Sequence, residues 1–264
     1  MIPDQTSFFA QLRAIAGNTF REAVRDRILY NLVVFVLLIV ACAILLGDLT
    51  DGHEARTITN IGLNAILVFG TFIAIFVGVG LVSKEIEKRT VYAIFSKPIG
   101  RGSFIIGKYL GLCLTLLVNV FIMGAGVSLA LVYVGGLSLV GPVWGSVFLI
   151  FLELCIVTAV AILFSSFSSP SLSALLTFFM FIIGHMSSSL RDLAANLGSR
   201  SAMIFFEAMY YLLPNLAHFS FRTEAANGLT PTPIMLGLSS LYSVVYIIIL
   251  LTISILVFSR RNFK

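Results

Sequence analysis

Six long apolar stretches alternate with short polar segments along the chain. They cover residues 28–46, 61–82, 110–134, 140–164, 172–190 and 234–258. Each is long enough for a helix to cross the hydrocarbon core of a bilayer, which takes ~20 residues. None alternates strictly between lipid-facing and lumen-facing side chains, and lipid otherwise tolerates only helices. The pattern predicts an all-α polytopic membrane protein with six transmembrane helices in a single domain, residues 1–264.

The composition supports the same class. Of the 264 residues, 59 % are hydrophobic and 11 % are charged, whereas globular domains carry ~25 % charged residues. The mean hydropathy is +1.05. These values exclude a water-soluble domain, a disordered chain and a disulfide scaffold. The three cysteines lie inside apolar stretches without CxxC spacing, which is typical of small core residues.

The basic residues lie mostly on one side of the predicted helices. Thirteen of the seventeen fall in residues 1–27, 84–108 and 260–264. Because positive loops stay cytoplasmic, we expect both termini in the cytoplasm of a multi-pass inner-membrane protein. The pI near 9.3 is then a topology signal. No basic stripe is interleaved with stacking aromatics, so we expect no nucleic-acid partner.

Two further segments are apolar only in part: one is amphipathic, and the other contains an apolar stretch that is too short to span a membrane. Residues 1–27 place Leu12 and Ile15 at helical spacing, with Arg13 and Arg21 toward the other side. This pattern predicts a cytoplasmic interfacial helix. The loop 191–233 is too long for a plain connection. It contains an apolar stretch, residues 202–213, that is too short to span the membrane and therefore predicts a re-entrant half-helix on the outer side.

The cytoplasmic segment 84–101 is the strongest candidate for a protein contact. A charged helical turn is followed by a short apolar run, which Pro98 and Gly100 end. Such an amphipathic element between two spans favours binding of a protein partner. The candidate residues are Lys84, Glu85, Glu87, Lys88, Arg89, Tyr92, Phe95, Lys97, Pro98 and Arg101.

Known catalytic and nucleotide-binding motifs do not fit the chain. Residues 102–108 match GxxxxGK, but Tyr109 stands where a magnesium-binding hydroxyl residue is needed and no strand precedes the glycines. Gly107 and Gly111 instead predict a close helix contact of the small-xxx-small type. Together with Gly141 and Gly145 they offer close-packing surfaces, which favour a dimer of two copies. No metal-ligand spacing, GxSxG elbow or HExxH motif occurs. We therefore expect neither an enzyme nor a metal site.

Glu153 is the only acidic residue deep inside a predicted span. A carboxylate at the centre of a membrane helix costs roughly 3 kcal/mol, so a partner must offset that cost. Two interpretations stay open: a polar point on a substrate or proton path, or a hydrogen-bonded strut between helices. His185, at the outer end of the fifth span, is a second candidate path residue, with an interhelical hydrogen bond as its alternative.

Several segments together resemble one known family. Glu85-x-Glu87-x-x-Thr90, then Phe95-Ser96-Lys97-Pro98-Ile99-x-Arg101, and the later Leu213-Pro214-Asn215-Leu216 are similar to segments of ABC-2-type exporter permeases, and the six-span plan fits as well. Arg89 departs from the pattern, because members often have glycine there.

The resemblance implies a permease without its own nucleotide site or cofactor. It implies that a separate ABC ATPase subunit carries ATP and Mg, that residues 84–101 couple to it, and that two permease copies form the path. We therefore expect the transmembrane subunit of an ATP-driven exporter with an ATPase, a second copy and membrane lipid as partners. Two alternatives stay open: a secondary transporter that moves protons through Glu153, and a membrane scaffold without transport.

Overall fold

The computed structural model describes residues 8–23, 34–35, 38–39, 41, 45, 53–87, 100–186, 204 and 213–260. Its helices are α1 (Phe8–Ala23), α2 (Glu54–Glu87), α3 (Arg101–Tyr133), α4 (Val140–Ser165), α5 (Pro170–His185), α6 (Arg222–Ala226) and α7 (Pro233–Arg260). Two 3-10 turns cover Leu137–Leu139 and Leu216–Phe219. No strand occurs in the described ranges, and the predicted all-α class is confirmed.

Four of these helices are long and apolar enough to cross a membrane. The crossing segments are Glu54–Gly80, Gly102–Tyr133, Leu137–Ser165 and Pro233–Ser259. They coincide with the second, third, fourth and sixth predicted spans, which confirms a polytopic membrane protein. The predicted first span, 28–46, lies mostly outside the described residues. The count of six spans therefore stays a prediction.

The fifth predicted span is shorter than the sequence suggested. Helix α5 has 16 residues and ends at His185, whereas the apolar stretch continues to Leu190. At 1.5 Å per residue α5 is about 24 Å long, less than the ~30 Å of a hydrocarbon core. Its start agrees with the prediction, because Pro170 occupies the first helical turn, where a missing N–H costs nothing.

Helix α4 is the centre of the described bundle. It packs against α2, α3, α5, α6 and α7, and 72 % of its most apolar window is buried. Helix α7 is the opposite case, since only 22 % of the corresponding window is buried. The described helices therefore surround α4 closely, while α7 presents most of its surface outward.

Helix α1 packs on the first turns of α3 through the predicted small-residue pair. A Cβ added at Gly107 would lie 2.8 Å from the Cβ of Ile15, and one added at Gly111 would lie 2.6 Å from the Cβ of Thr19. The close contact was predicted correctly, but we had also assigned these glycines to a surface between two copies. That assignment is wrong for Gly107 and Gly111, because α1 of the same chain already occupies them.

A buried lysine strengthens this contact. Lys108 is 3 % exposed, and its Nζ lies 3.7 Å from Glu22 Oε2 on α1. The same Nζ lies 5.7 Å from the centre of the Phe104 ring. Exposed Arg13 and Arg21 lie on the other side of α1, as the two-sided sequence pattern predicted. The amphipathic helix thus covers the first turns of α3 and compensates a charge there.

We predict that Gly111→Ala destabilises the protein, because the new methyl group would meet Thr19 and the backbone oxygen of Ala16 at 2.7 Å. Overpacking of this kind costs about 1–3 kcal/mol. Gly17→Ala is the matched control, since no atom lies within 4 Å of its added Cβ and alanine favours helix. Thermal unfolding of the purified chain in detergent measures both. Equal stability of the two variants would contradict the contact.

Candidate functional site

The two ionisable residues singled out within the spans meet in the folded chain. Glu153 Oε1 lies 3.4 Å from His185 Nε2. Glu153 is 1 % exposed, whereas the His185 side chain is 21 % exposed. The Phe181 ring, one turn earlier on α5, contacts the imidazole with ring centres 4.7 Å apart. The structure therefore brings the two candidate path residues together between α4 and the end of α5, with Glu153 buried and His185 partly buried.

Helix geometry explains why the pair forms inside the bundle. Glu153 is the fourteenth of the 26 residues of α4, and so lies near the middle of that helix. Because α5 is short, its last residue, His185, reaches only to this depth. The sequence predicts that a partner offsets the cost of Glu153, and in the structure the His185 imidazole contacts it. Glu153 Oε1 accepts no hydrogen bond from a described residue, so the contact is an electrostatic one.

Arg222 acts electrostatically on this site from the short helix α6. Its positive charge acts on both Glu153 and His185, and its Nη2 donates to Ser220 Oγ at 3.3 Å. Sequence reasoning counted Arg222 only among the few outer charges. Its place beside Glu153 depends on how the preceding turn enters the bundle. The available signal was the Pro214-Asn215 pair, which ends the apolar stretch eight residues earlier.

That turn lies deep against α4 and α5. Pro214 and Leu216 line a small cavity together with Ile156 and Val160 of α4. Further along, Pro231 contacts Gly145, so the segment runs back along α4 toward the start of that helix. Residues 214–231 therefore pass Glu153 as they rise. The predicted half-helix, 202–213, lies almost entirely outside the described residues and stays a prediction. We call the turn that follows it, residues 214–219, the re-entrant turn.

Close approach and one hydrogen bond hold the turn in place. A Cβ on Gly184 would lie 2.8 Å from both Leu216 Cγ and the Pro214 oxygen. The Asn215 backbone N–H donates to the Tyr242 hydroxyl of α7 at 2.9 Å. The Asn215 side chain accepts from the Ala217 N–H at 3.1 Å. Non-helical backbone at membrane depth needs such partners, because lipid offers none.

The predicted coupling segment is only partly described. Helix α2 ends at Glu87, so the backbone of Lys84, Glu85 and Glu87 belongs to its last turns, and Arg101 begins α3. The other candidate residues lie outside the described part of the chain: Lys88, Arg89, Tyr92, Phe95, Lys97 and Pro98. The described helices therefore fix where this segment leaves and re-enters the bundle.

The fold and the site define a class of protein: a polytopic helical membrane protein with a re-entrant turn and a buried ionisable pair at mid-span. The family model for ABC-2 family transporter proteins matches residues 13–263. The chain belongs to this family and is a membrane permease of an ABC transporter. No curated protein matches it significantly.

We predict that Tyr242→Phe loosens the re-entrant turn. The variant removes the acceptor of the Asn215 N–H, which costs about 1 kcal/mol of stability. Tyr133→Phe is the control, because Tyr133 is 83 % exposed. Unfolding of both purified variants in detergent, together with labelling of a cysteine introduced at Ala217, measures the effect. Unchanged stability and labelling in Tyr242→Phe would contradict the anchoring role.

Proposed function

We propose that this chain is the transmembrane subunit of an ATP-driven exporter, which forms the translocation path and binds a separate ATPase subunit. The observation that carries the proposal is the family match over residues 13–263. In this proposal ATP and Mg bind the partner subunit, and the chain needs no cofactor of its own. Both termini lie in the cytoplasm of the inner membrane, as the distribution of thirteen of seventeen basic residues favours.

The ATPase contact is assigned to residues 84–101. This segment joins the end of α2 to the start of α3. Together with the nearby Lys108 it carries six of the seventeen Lys and Arg residues. Helix α1 packs on α3 directly after it. A displacement of the segment by an ATPase would therefore reach α1 and α3 together, and through α3 the central helix α4.

A second permease copy completes the path in this proposal. Gly107 and Gly111 no longer support it, because α1 covers them. The remaining support is the close packing around α4, since 72 % of the residues in its most apolar window are buried. Such packing leaves no room for a path through the middle of the described bundle, so a path between two copies is favoured.

We assign His185, whose side chain is 21 % exposed, to the translocation path, and buried Glu153 to the same path through its contact with His185. Their contact at 3.4 Å places two proton-binding groups at mid-span, where ionisable residues are costly and usually functional. The same observation favours the second candidate function, a secondary transporter that moves protons through Glu153. ATP dependence separates the two, since a secondary transporter needs no ATPase subunit.

The docking assignment predicts that Glu85→Lys combined with Glu87→Lys weakens assembly with the ATPase. Reversal of two charges at a contact surface disturbs electrostatic complementarity, and the expected loss of affinity is at least about tenfold. Glu224→Lys is the control, because Glu224 lies at an exposed position of α6. Copurification of the ATPase with each variant from native membranes measures the effect. An ATPase that copurifies undiminished, with coupled hydrolysis, would show that the assignment is wrong.

The path assignment predicts that Glu153→Gln abolishes transport-coupled ATP hydrolysis while assembly stays intact. Glutamine keeps the size and polarity of the side chain but cannot ionise. We expect the rate to fall at least about tenfold, equivalent to roughly 1.4 kcal/mol. Glu224→Gln is the matched control, because Glu224 lies at an exposed position of α6. Normal rates in Glu153→Gln with loss of folded complex in Glu153→Leu would identify a strut instead.

A further inference from the structure

A line of polar residues on α5 leads from the α4–α5 corner, residues 166–169, toward the Glu153–His185 pair. Ser173 and Thr177 are both buried. They share one face of α5 with His185, because these residues follow at multiples of four positions. From Ser173 to His185 the line covers about 18 Å at 1.5 Å per residue. The corner lies on the side that the proposed topology assigns to the cytoplasm.

Hydrogen bonds connect the corner end of this line. Ser168 Oγ and Ser173 Oγ lie 2.6 Å apart, and Thr177 Oγ1 donates to the Ser173 oxygen at 2.7 Å. Ser168 is only half-buried, so the line reaches the surface there. Hydroxyl groups both donate and accept hydrogen bonds. The polar groups are therefore connected from the surface of the corner as far as Thr177.

A small apolar cavity interrupts the line before it reaches the pair. About 12 Å of helix separate Thr177 from His185, and Phe181 takes the intermediate position. The cavity beside the re-entrant turn lies at this level, lined by Thr177 and Phe181 of α5 and by Val157 and Val160 of α4. Its volume is about 10 Å³, close to the ~10–15 Å³ that one water needs. Of the described lining residues only Thr177 has a polar side chain, and a buried water needs at least about two polar partners. The cavity is therefore dry.

The pair itself meets its surroundings from the other end of α5. Glu153 is 1 % exposed and the His185 side chain 21 %, and the charged groups that act on Glu153 are His185 of α5 and Arg222 of α6. A proton-binding group on a transport path must open to one side at a time, since connection to both sides would let protons leak. Hydrophobic constrictions close such routes by excluding water. The dry cavity has the position of such a constriction.

We propose that this cavity is the closed gate of a proton route between the α4–α5 corner and Glu153. The proposal rests on the proposed assignment of Glu153 and His185 to the translocation path, and it adds the proton as the ion that this side of the path carries. When the cavity holds water, a proton from the corner passes by way of Thr177 and that water to the Glu153 carboxylate, and no electron is transferred. The re-entrant turn forms part of the wall through Pro214, so a movement of the turn away from α5 widens the cavity.

A hydroxyl group placed in the cavity wall tests the gate in the purified full chain in nanodiscs, without ATP or an ATPase. Infrared difference spectroscopy after a pH jump follows protonation of Glu153, whose carboxyl band is identified by its loss in Glu153→Gln. Val160→Thr keeps the side-chain volume and gives a water its second partner, so we expect protonation at least about tenfold faster. Val143→Thr is the matched control, because Val143 is 0 % and Val160 2 % exposed on α4 but Val143 does not line the cavity. Val157→Thr alters the same wall and serves if Val160→Thr does not fold.

The route also predicts that the acceleration requires the Thr177 hydroxyl. Thr177→Val combined with Val160→Thr should return the rate to that of the wild type. Thr252→Val in the same background is the matched control. Both threonines donate to the carbonyl oxygen four residues earlier at 2.7 Å, but Thr252 is exposed on α7. The double variant with Thr252→Val should therefore stay fast.

Three results would overturn the gate. Equal rates in Val160→Thr and Val143→Thr would mean that the cavity does not limit protonation. Acceleration that persists with Thr177→Val would mean that water reaches Glu153 by another route. Absence of a Glu153 band from the wild type and every variant would mean that this carboxyl exchanges no protons with solution.

The path assignment fails or stands by a different measurement. Coupled ATP hydrolysis that Glu153→Gln retains would count against that assignment, whatever the protonation rates show. Loss of coupling in Glu153→Gln without acceleration in Val160→Thr would overturn the gate alone.

Discussion

The constraint on which this structure depends is that lipid offers no hydrogen-bond partners to the backbone. Helices meet it internally, but the turn at Pro214–Asn215 lies at the depth of α4 and α5 without helical bonds. The Tyr242 hydroxyl, the Asn215 side chain and close contact with Gly184 supply what the turn needs. Because these partners come from α5 and α7, the turn joins helices that otherwise meet mainly through α4.

The buried ionisable pair follows from the same arrangement. The short helix α5 ends inside the bundle, which leaves space beyond it for the rising segment and brings His185 level with Glu153. The segment then carries Arg222 past both residues. Glu153 alone would be costly to bury in a membrane. In the structure it contacts His185, the last residue of α5. That combination supports the proposed assignment of the pair to the path.

The two ends of the described bundle differ in how they are built. At the start of α3, small residues let α1 approach closely, and Glu22 compensates buried Lys108. This clamp binds the amphipathic helix to the helix that follows the proposed ATPase contact. Along α7 the packing is open, since only 22 % of the residues in its most apolar window are buried. The described bundle is therefore tightly packed at the start of α3 and exposed along α7.

The sequence by itself determined the helical membrane class, the four confirmed crossing helices and the close contact at Gly107 and Gly111, because hydropathy and small-residue spacing are local properties. It also singled out Glu153 and His185 as ionisable residues in predicted spans, where such residues cost free energy. Only the tertiary structure decided that these two meet, that Arg222 joins them and that α1 is the partner of the glycines. Those relations depend on where α5 stops and how residues 214–231 return along α4. The end of α5 and the course of residues 214–231 do not follow from local periodicity, because packing between segments distant in the chain sets them.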